Sequence, residues 1–303
     1  PSWMLILNID AKGINTFWRT EMKLVRYGPK GKEKPGLIDQ NGNIRDLSRV
    51  IDDIGGETLT PKGLAPIKKR DPKRLPLVKG RPRLGPPVVE RRTFAIALNY
   101  KEHAAEAKRP IPPEPLVFTK ACPLTGHRDN IIIPKGSKKT DWEIELCLVI
   151  ARKASHVSKK NALKYVGGYF AGNDISEREW LLERGPFTQW INGKSPDTFG
   201  PIGPWLVTPD EVGNPQKLHM WLDVNGKRFQ DNNTSDMIYN CATLVSFMSK
   251  MITLYPGDII FTGTPQGVGL GQKPKPIYLK VGDKITMGIE KLGEHSYTCI
   301  KKS

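Results

Sequence analysis

The run Asp141-Trp142-Glu143-Ile144-Glu145-Leu146-Cys147-Leu148-Val149-Ile150 alternates with the period of an extended strand. Side chains on a strand take opposite faces in turn, so Glu143 and Glu145 project one way and Trp142, Ile144, Leu146, Leu148 and Ile150 the other. Past the acids, their own face turns apolar at Cys147 and Val149, which places the two glutamates at the mouth of a core. Adjacent like charges in a half-dry place repel unless something neutralises them. A bound divalent cation is the simplest neutraliser; the alternative is a pair of acids on the wet face of an amphipathic strand. Asp174, in Gly172-Asn173-Asp174-Ile175-Ser176, offers a third oxygen ligand. Three carboxylates with no thiolate or imidazole nearby in sequence favour Mg²⁺, Mn²⁺ or Ca²⁺ over zinc.

A chain of 303 residues with 38% hydrophobic and 26% charged residues can bury a substantial core as one large domain or as a small domain plus a large one. No apolar run approaches the roughly 18 residues of a spanning helix. The apolar Trp3-Met4-Leu5-Ile6-Leu7 is interrupted by Asp10 and lacks a basic leader, so it fits a secretory signal poorly and export is not expected. Cys122, Cys147, Cys241 and Cys299 show no metal-site spacing and read as reduced thiols of a cytoplasmic protein.

The net charge of +16 raises the question of nucleic acid. Much of it lies between Lys62 and Arg92, a stretch that also carries Pro61, Pro66, Pro72, Pro76, Pro82, Pro86 and Pro87. With no recognition-helix or aromatic RNA-binding pattern alongside, this reads as an extended, solvated basic connector. The distant alternative is a basic nucleic-acid-binding protein with an inactive acid site.

Three parts are expected: an extension over 1–21 with no structural role, a small N-terminal β domain and connector over 22–92, and a main domain over 93–303. Hairpins are expected at Asn41-Gly42 and Asn225-Gly226. Helical signals cover Asn99–Lys108, Ser158–Val166 with Ser158 as N-cap, and Thr243–Met251. Strand signals dominate elsewhere, so the fold class is a β-rich α+β domain of sheets closing on each other.

On a helical turn, His103 and Glu106 share a face, so the carboxylate can orient the imidazole as a base; an ordinary surface ion pair is the alternative. Arg178 and Lys194 are the cations expected to face the acids, where they would hold a substrate carboxylate or a developing oxyanion. Thr262-Gly263-Thr264-Pro265-Gln266-Gly267-Val268-Gly269 lacks the Gly-Lys-Ser/Thr ending of a phosphate loop. It reads as backbone approaching a substrate, or as a tight strand-end turn.

In this order, Asn99-Tyr-x-x-His103-x-x-Glu106, Trp142-Glu143-x-Glu145, Gly172-Asn-Asp174-x-Ser-x-Arg178, Gly193-Lys194-Ser195, Pro201-x-Gly-Pro-Trp205, Val224-Asn-Gly226 and the Pro256–Gly269 run resemble the fumarylacetoacetate hydrolase family. The resemblance implies a mixed β-sandwich roll, a homodimer, and a Mg²⁺, Mn²⁺ or Ca²⁺ ion on Glu143, Glu145 and Asp174. It assigns His103, Glu106 and Lys194 to catalysis and Arg178, Thr264, Tyr100 and Gln189 to substrate binding. Within the family the chain is most similar to the 2,4-diketo-3-deoxy-L-rhamnonate hydrolases, a group often labelled ureidoglycolate lyase. That likeness rests on Lys23-Leu-Val-Arg-Tyr-Gly-Pro, Gln189-Trp190 and the run from Asp197 to Thr208. Leu181, His127 and Pro196 depart from the pattern, Leu181 standing where relatives commonly carry Gln. The implied activity is metal-dependent cleavage of a carbon–carbon bond in a 2,4-diketo acid to release pyruvate. Oxaloacetate decarboxylation, or isomerisation or hydration of a 2-oxo acid, is the alternative on the same site.

Overall fold

The computed structural model describes residues 22–302; the expectation for residues 1–21 lies outside them. The architecture is a β-rich α+β fold built on a mixed ten-stranded sheet facing a five-stranded one. The large sheet runs in the order Ile44–Asp46, Lys34–Ile38, Lys23–Tyr27, Pro201–Val207, Val166–Asn173, Ile144–Ile150, Ile259–Phe261, Thr93–Ala97 and Leu116–Thr119, with Thr125–Gly126 beside Pro201–Val207. The smaller sheet orders Lys227–Asn233, His219–Val224, Lys284–Ile289, Gly293–Lys301 and Ile131–Ile133.

The strand Ile144–Ile150 is central and buried on both faces. Ile144, Leu146, Leu148 and Ile150 pack in one core cluster with Met220, Leu222, Ile285 and Met287 of the smaller sheet. Cys147 and Val149 belong to a second cluster on the opposite side, with Leu24, Leu37, Leu64 and Ile67. The period-two reading of this strand therefore sorts its side chains between two cores, and the acids open the face of the second.

The basic stretch is not an extended connector. Thr60 caps a helix Pro61–Lys68 by accepting the Gly63 N–H, and short 3₁₀ turns flank it at Gly56–Leu59 and Pro72–Arg74. Leu59, Leu64, Ile67, Leu75 and Val88 are buried in the second core. The N-terminal hairpin joins the large sheet directly, Lys23 and Leu24 pairing with Val207 and Leu206. Several cations of this region are spent on internal pairs: Arg83 with Asp129 and Glu33, Arg26 with Asp53, Lys68 with Asp210.

The Asn225-Gly226 hairpin forms with both residues at positive φ, as its tight turn requires. The segment after Ser158 is a 3₁₀ helix, Lys159–Tyr165, and the Ser158 side chain makes no capping bond. The helical signal at Thr243–Met251 is met by a helix Cys241–Met251, capped by Asn240. All four cysteines are free and buried. Among the described residues no helix is long and apolar enough to cross a membrane.

Candidate active site

Register brings the three acids together. Val166–Asn173 pairs antiparallel with Ile144–Ile150, setting Gly172 opposite Glu145 and Asn173 opposite Ile144. Asp174 then follows Asn173 around to Glu143, its N–H donating to the Glu143 carbonyl at 2.9 Å. Asn173 Oδ1 accepts the Glu143 N–H at 2.8 Å, and Asn173 Nδ2 donates to Tyr297 Oη at 2.5 Å on the smaller sheet. Gly172 is required, because a Cβ there would sit 2.5 Å from Cys147 Sγ and 2.7 Å from the Phe261 ring. One carboxylate oxygen from each of Glu143, Glu145 and Asp174 lies within 4.8 Å of the other two, and all three residues are buried.

Protein cations already surround this cluster. Lys194, the last residue of the helix Trp190–Lys194, places Nζ 2.7 Å from Glu143 Oε2 and 2.7 Å from Asp174 Oδ2. Lys120 Nζ lies 2.5 Å from Asp174 Oδ1 and donates to the Lys194 carbonyl. Arg178 Nε donates to Asp141 Oδ2 at 2.8 Å, and its Nη2 is 2.6 Å from Glu143 Oε1 without the alignment of a hydrogen bond. Three basic side chains therefore share the neutralisation of these acids with whatever cation the triad of Glu143, Glu145 and Asp174 holds. Glu145 is the exception. Its Oε2 accepts the Gly263 N–H at 2.7 Å, and no cation pairs with it among the described residues.

The electrostatics follow. Burial alone would raise the Glu143 carboxyl, but Lys194, Arg178 and His103 outweigh it and hold it at about 2. Burial, then the charges of Asp174 and Glu143, push Glu145 well above the carboxylate range. Burial works against the Lys194 ammonium, yet Asp174 and Glu143 prevail and raise it. Arg178 is raised despite its burial by Asp141 and Glu143. Counting Asp141, four acids face three cations, so with every acid ionised one negative charge would be left over, and the upward push on Glu145 keeps a proton there until a cation takes its place. A divalent cation fits this donor set of hard carboxylate oxygens, and together with a substrate carboxylate it would bring the cluster to neutrality.

The glycine-rich loop after Ile259–Phe261 wires the site with its backbone. Gly263 N–H donates to Glu145, Gly267 N–H to Glu106 Oε1 at 2.9 Å, and Gly269 and Leu270 N–H to Asp141 at 2.6 and 3.0 Å. Gly263 and Gly267 have positive φ, and a Cβ on Gly267 would run into the Phe229 carbonyl. The helix Lys101–Glu106 carries His103, whose Nδ1 is 3.1 Å from Glu106 Oε2. With Nδ1 protonated toward the carboxylate, Nε2 becomes the basic atom.

Of the residues singled out by sequence, the cluster gathers Glu143, Glu145, Asp174, Arg178 and Lys194, with His103 and Glu106 beside it and Thr264 next to Gly263. Tyr100 lies in the core, its Oη on Met220 Sδ at 3.2 Å. Gln189 is exposed. Leu181 is buried and packs so tightly on Gly193 that a Cβ there would collide with it. Lys120, Asp141, Asn173 and Gln230 went unassigned. Asp141 heads the acid run and Asn173 precedes Asp174, so adjacency was a signal; Lys120 and Gln230 gave none beyond being polar beside strand-like residues.

A family profile described as fumarylacetoacetate (FAA) hydrolase C-terminal matches residues 92–299. A curated relative from Burkholderia orbicola, named only as a hydrolase, is 54% identical over 275 residues, 90% of this chain and 97% of its own. Among solved structures, 2-hydroxyhepta-2,4-diene-1,7-dioate isomerase from Mycobacterium marinum aligns with TM-score 0.69 at 28% identity, covering 93% of this chain and 99% of that one. Fumarylpyruvate hydrolase from Pseudomonas aeruginosa, in complex with Mn²⁺ and pyruvate, aligns with TM-score 0.64 at 29% identity, covering 74% and 94%. The chain belongs to the fumarylacetoacetate hydrolase family, whose members are enzymes and include hydrolases and isomerases.

Proposed function

We propose that this protein is a metal-dependent hydrolase that cleaves a carbon–carbon bond in a 2,4-diketo acid of the acylpyruvate type, such as 2,4-diketo-3-deoxy-L-rhamnonate, and releases pyruvate. The observation that carries the reading is the convergence of Glu143, Glu145 and Asp174 within 4.8 Å, with no side-chain cation paired to Glu145 among the described residues. Bound there, Mg²⁺ or Mn²⁺ would supply Lewis-acid polarisation of the 2-oxo acid's oxygens. Arg178 holds an unaligned N–H in a dry site and Lys194 a buried ammonium, and both suit a substrate carboxylate or oxyanion. Glu106 fixes His103 so that Nε2 takes a proton from water as the water oxygen adds to the distal carbonyl. The bond between that carbon and the adjacent methylene then breaks. Its electron pair passes to the three-carbon fragment, and the proton held by His103 returns to it, giving pyruvate and a carboxylic acid. The homodimer implied by the resemblance belongs to the same reading, and sedimentation tests it.

The isomerase among the structural neighbours favours a second reading on the same residues, in which proton transfer replaces attack by water; oxaloacetate decarboxylation is a further variant. A panel of 2,4-diketo acids and oxaloacetate, assayed with Mg²⁺ and Mn²⁺ for pyruvate release, tests the proposal. Hydrolysis is expected to collapse in His103→Ala while decarboxylation largely survives. Undetectable pyruvate from every diketo acid would reject the hydrolase reading.

A further inference from the structure

Gln230 is completely buried, belongs to the smaller sheet, and reaches across to the site from the strand Lys227–Asn233. A register shift at Phe229 bulges this strand next to Gln230 and re-aims it. Its amide orientation is fixed from both ends. Oε1 accepts the Ile144 N–H at 3.0 Å, between the two glutamates of the acid strand. Nε2 donates to the Pro265 carbonyl at 2.9 Å, so it is the nitrogen and not the oxygen that faces the glycine loop. The same Nε2 lies 2.8 Å from Thr264 Oγ1.

A hydroxyl that accepts from an amide N–H cannot also send its own proton that way. Thr264 is buried, and no acceptor for its proton lies within hydrogen-bond distance among the described residues. We propose that Gln230 is a positioning residue that makes Thr264 a one-way hydroxyl donor, so that the substrate atom seated at Thr264 is an acceptor-only oxygen, of a carboxylate or a keto group, and not the nitrogen of an amide or ammonium. This rests on the functional reading above and adds to it why the glycine loop takes an acceptor oxygen of the substrate. An acceptor-only partner satisfies the hydroxyl, whereas a donor placed there would meet the Thr264 proton head on and leave both groups unpaired in a dry site.

Two experiments test this, and neither depends on turnover. Neutron diffraction from the perdeuterated wild type should place the Thr264 hydroxyl deuteron away from Gln230; a deuteron directed at Gln230 overturns the proposal. Calorimetric titration of the Mn²⁺-loaded protein with pyruvate should give a dissociation constant about tenfold weaker in Gln230→Glu, whose carboxylate would draw the Thr264 proton to itself. In a Thr264→Val background the same Gln230→Glu change should cost nothing more, while Thr264→Ser alone stays within about threefold of wild type. Equal losses in both backgrounds would mean that Gln230 supports the loop and nothing else, and would overturn the proposal. Wild-type turnover of diketo acids is scored separately, so the hydrolase reading can fail while the orientation of Thr264 stands.

Discussion

The acid cluster and the histidine pair His127 and His295 are both polar groups sealed from water, and they are made tolerable in opposite ways. At the cluster, charge is kept and matched: Glu143 is held at about 2 by cations that themselves are held protonated. At the pair, charge is given up. Burial and then Arg128 push His127 down to about 4, and burial and then His127 push His295 down to about 3. The rings sit 6.1 Å apart, His295 Nε2 bonding the Gly203 carbonyl and His127 Nδ1 bonding nothing. Matched charge costs more to assemble than neutral burial but leaves reactive groups in place. A buried pair of neutral imidazoles offers packing and backbone hydrogen bonding but no charge. Activity and stability should therefore respond very differently to changes in the two regions.

The sharpest way to break the comparison is Lys194→Met. Removing the ammonium strands Glu143 and Asp174 in a dry place, which is expected to cost about 3–5 kcal/mol in urea unfolding. Pyruvate release should fall by about 10²–10³ at saturating Mn²⁺. Since the change conserves length and apolar bulk, a variant with wild-type stability would mean that the carboxylates were not ionised against Lys194.

Glu106→Gln comes next. The amide can still accept the Gly267 N–H, but it loses the charge that orders His103. Turnover should fall by about 10², with the pH–rate profile displaced and the melting temperature nearly unchanged. An unaltered profile would remove Glu106 from the proton path.

How much of this was legible depended on distance along the chain. The acid strand could be read because period-two alternation is local, and Asp174 because its neighbours formed a recognisable string. Lys120 contacts Asp174 across 54 residues and Gln230 contacts Ile144 across 86, and no local pattern reports such contacts. The basic stretch failed for another reason. Thr60 before Pro61 is a helix start, an N-cap oxygen followed by a residue that needs no N–H partner, and it was outvoted by the density of proline and charge around it. Composition described the surface of that segment, while Leu64 and Ile67 decided its fold. The apolar turn at Cys147 and Val149, by contrast, pointed to the core that the acids open onto, while the other core, on the Leu146 and Leu148 face, emerges only from the packing of the two sheets.

Acid titration sharpens the contrast by sign. Unfolded histidines bind protons near pH 6.5, well before His127 and His295 do in the fold, so their contribution is intact above 6.5 and drains away as pH falls toward 4 and then 3. Glu143 is also depressed when folded, but its contribution is present above about 4.5 and is lost only as pH falls toward about 2. Glu145, raised in the fold, acts with the opposite sign and cancels when two variants are compared at the same pH. Between pH 6 and 4.5, His127→Leu should flatten the fall in unfolding free energy by about 1.2 kcal/mol per pH unit relative to wild type. Parallel curves for the two proteins would show that His127 is not buried in its neutral form.

The smallest effect belongs to Gln189→Ala. The resemblance assigns this side chain to substrate, yet it stands in solvent before the helix that delivers Lys194, and what holds that helix is the Gln189 backbone, whose N–H donates to the Leu181 carbonyl at 2.9 Å. Alanine keeps that bond. Stability should move by less than about 0.5 kcal/mol and KM by less than about twofold. Phe187, two residues earlier, is 76% exposed, so this stretch of chain offers little packing for an alanine to disturb. A KM raised about tenfold with kcat unchanged would mean that the Gln189 side chain does touch substrate, because the alanine would then have removed a contact made equally in the bound and reacting states.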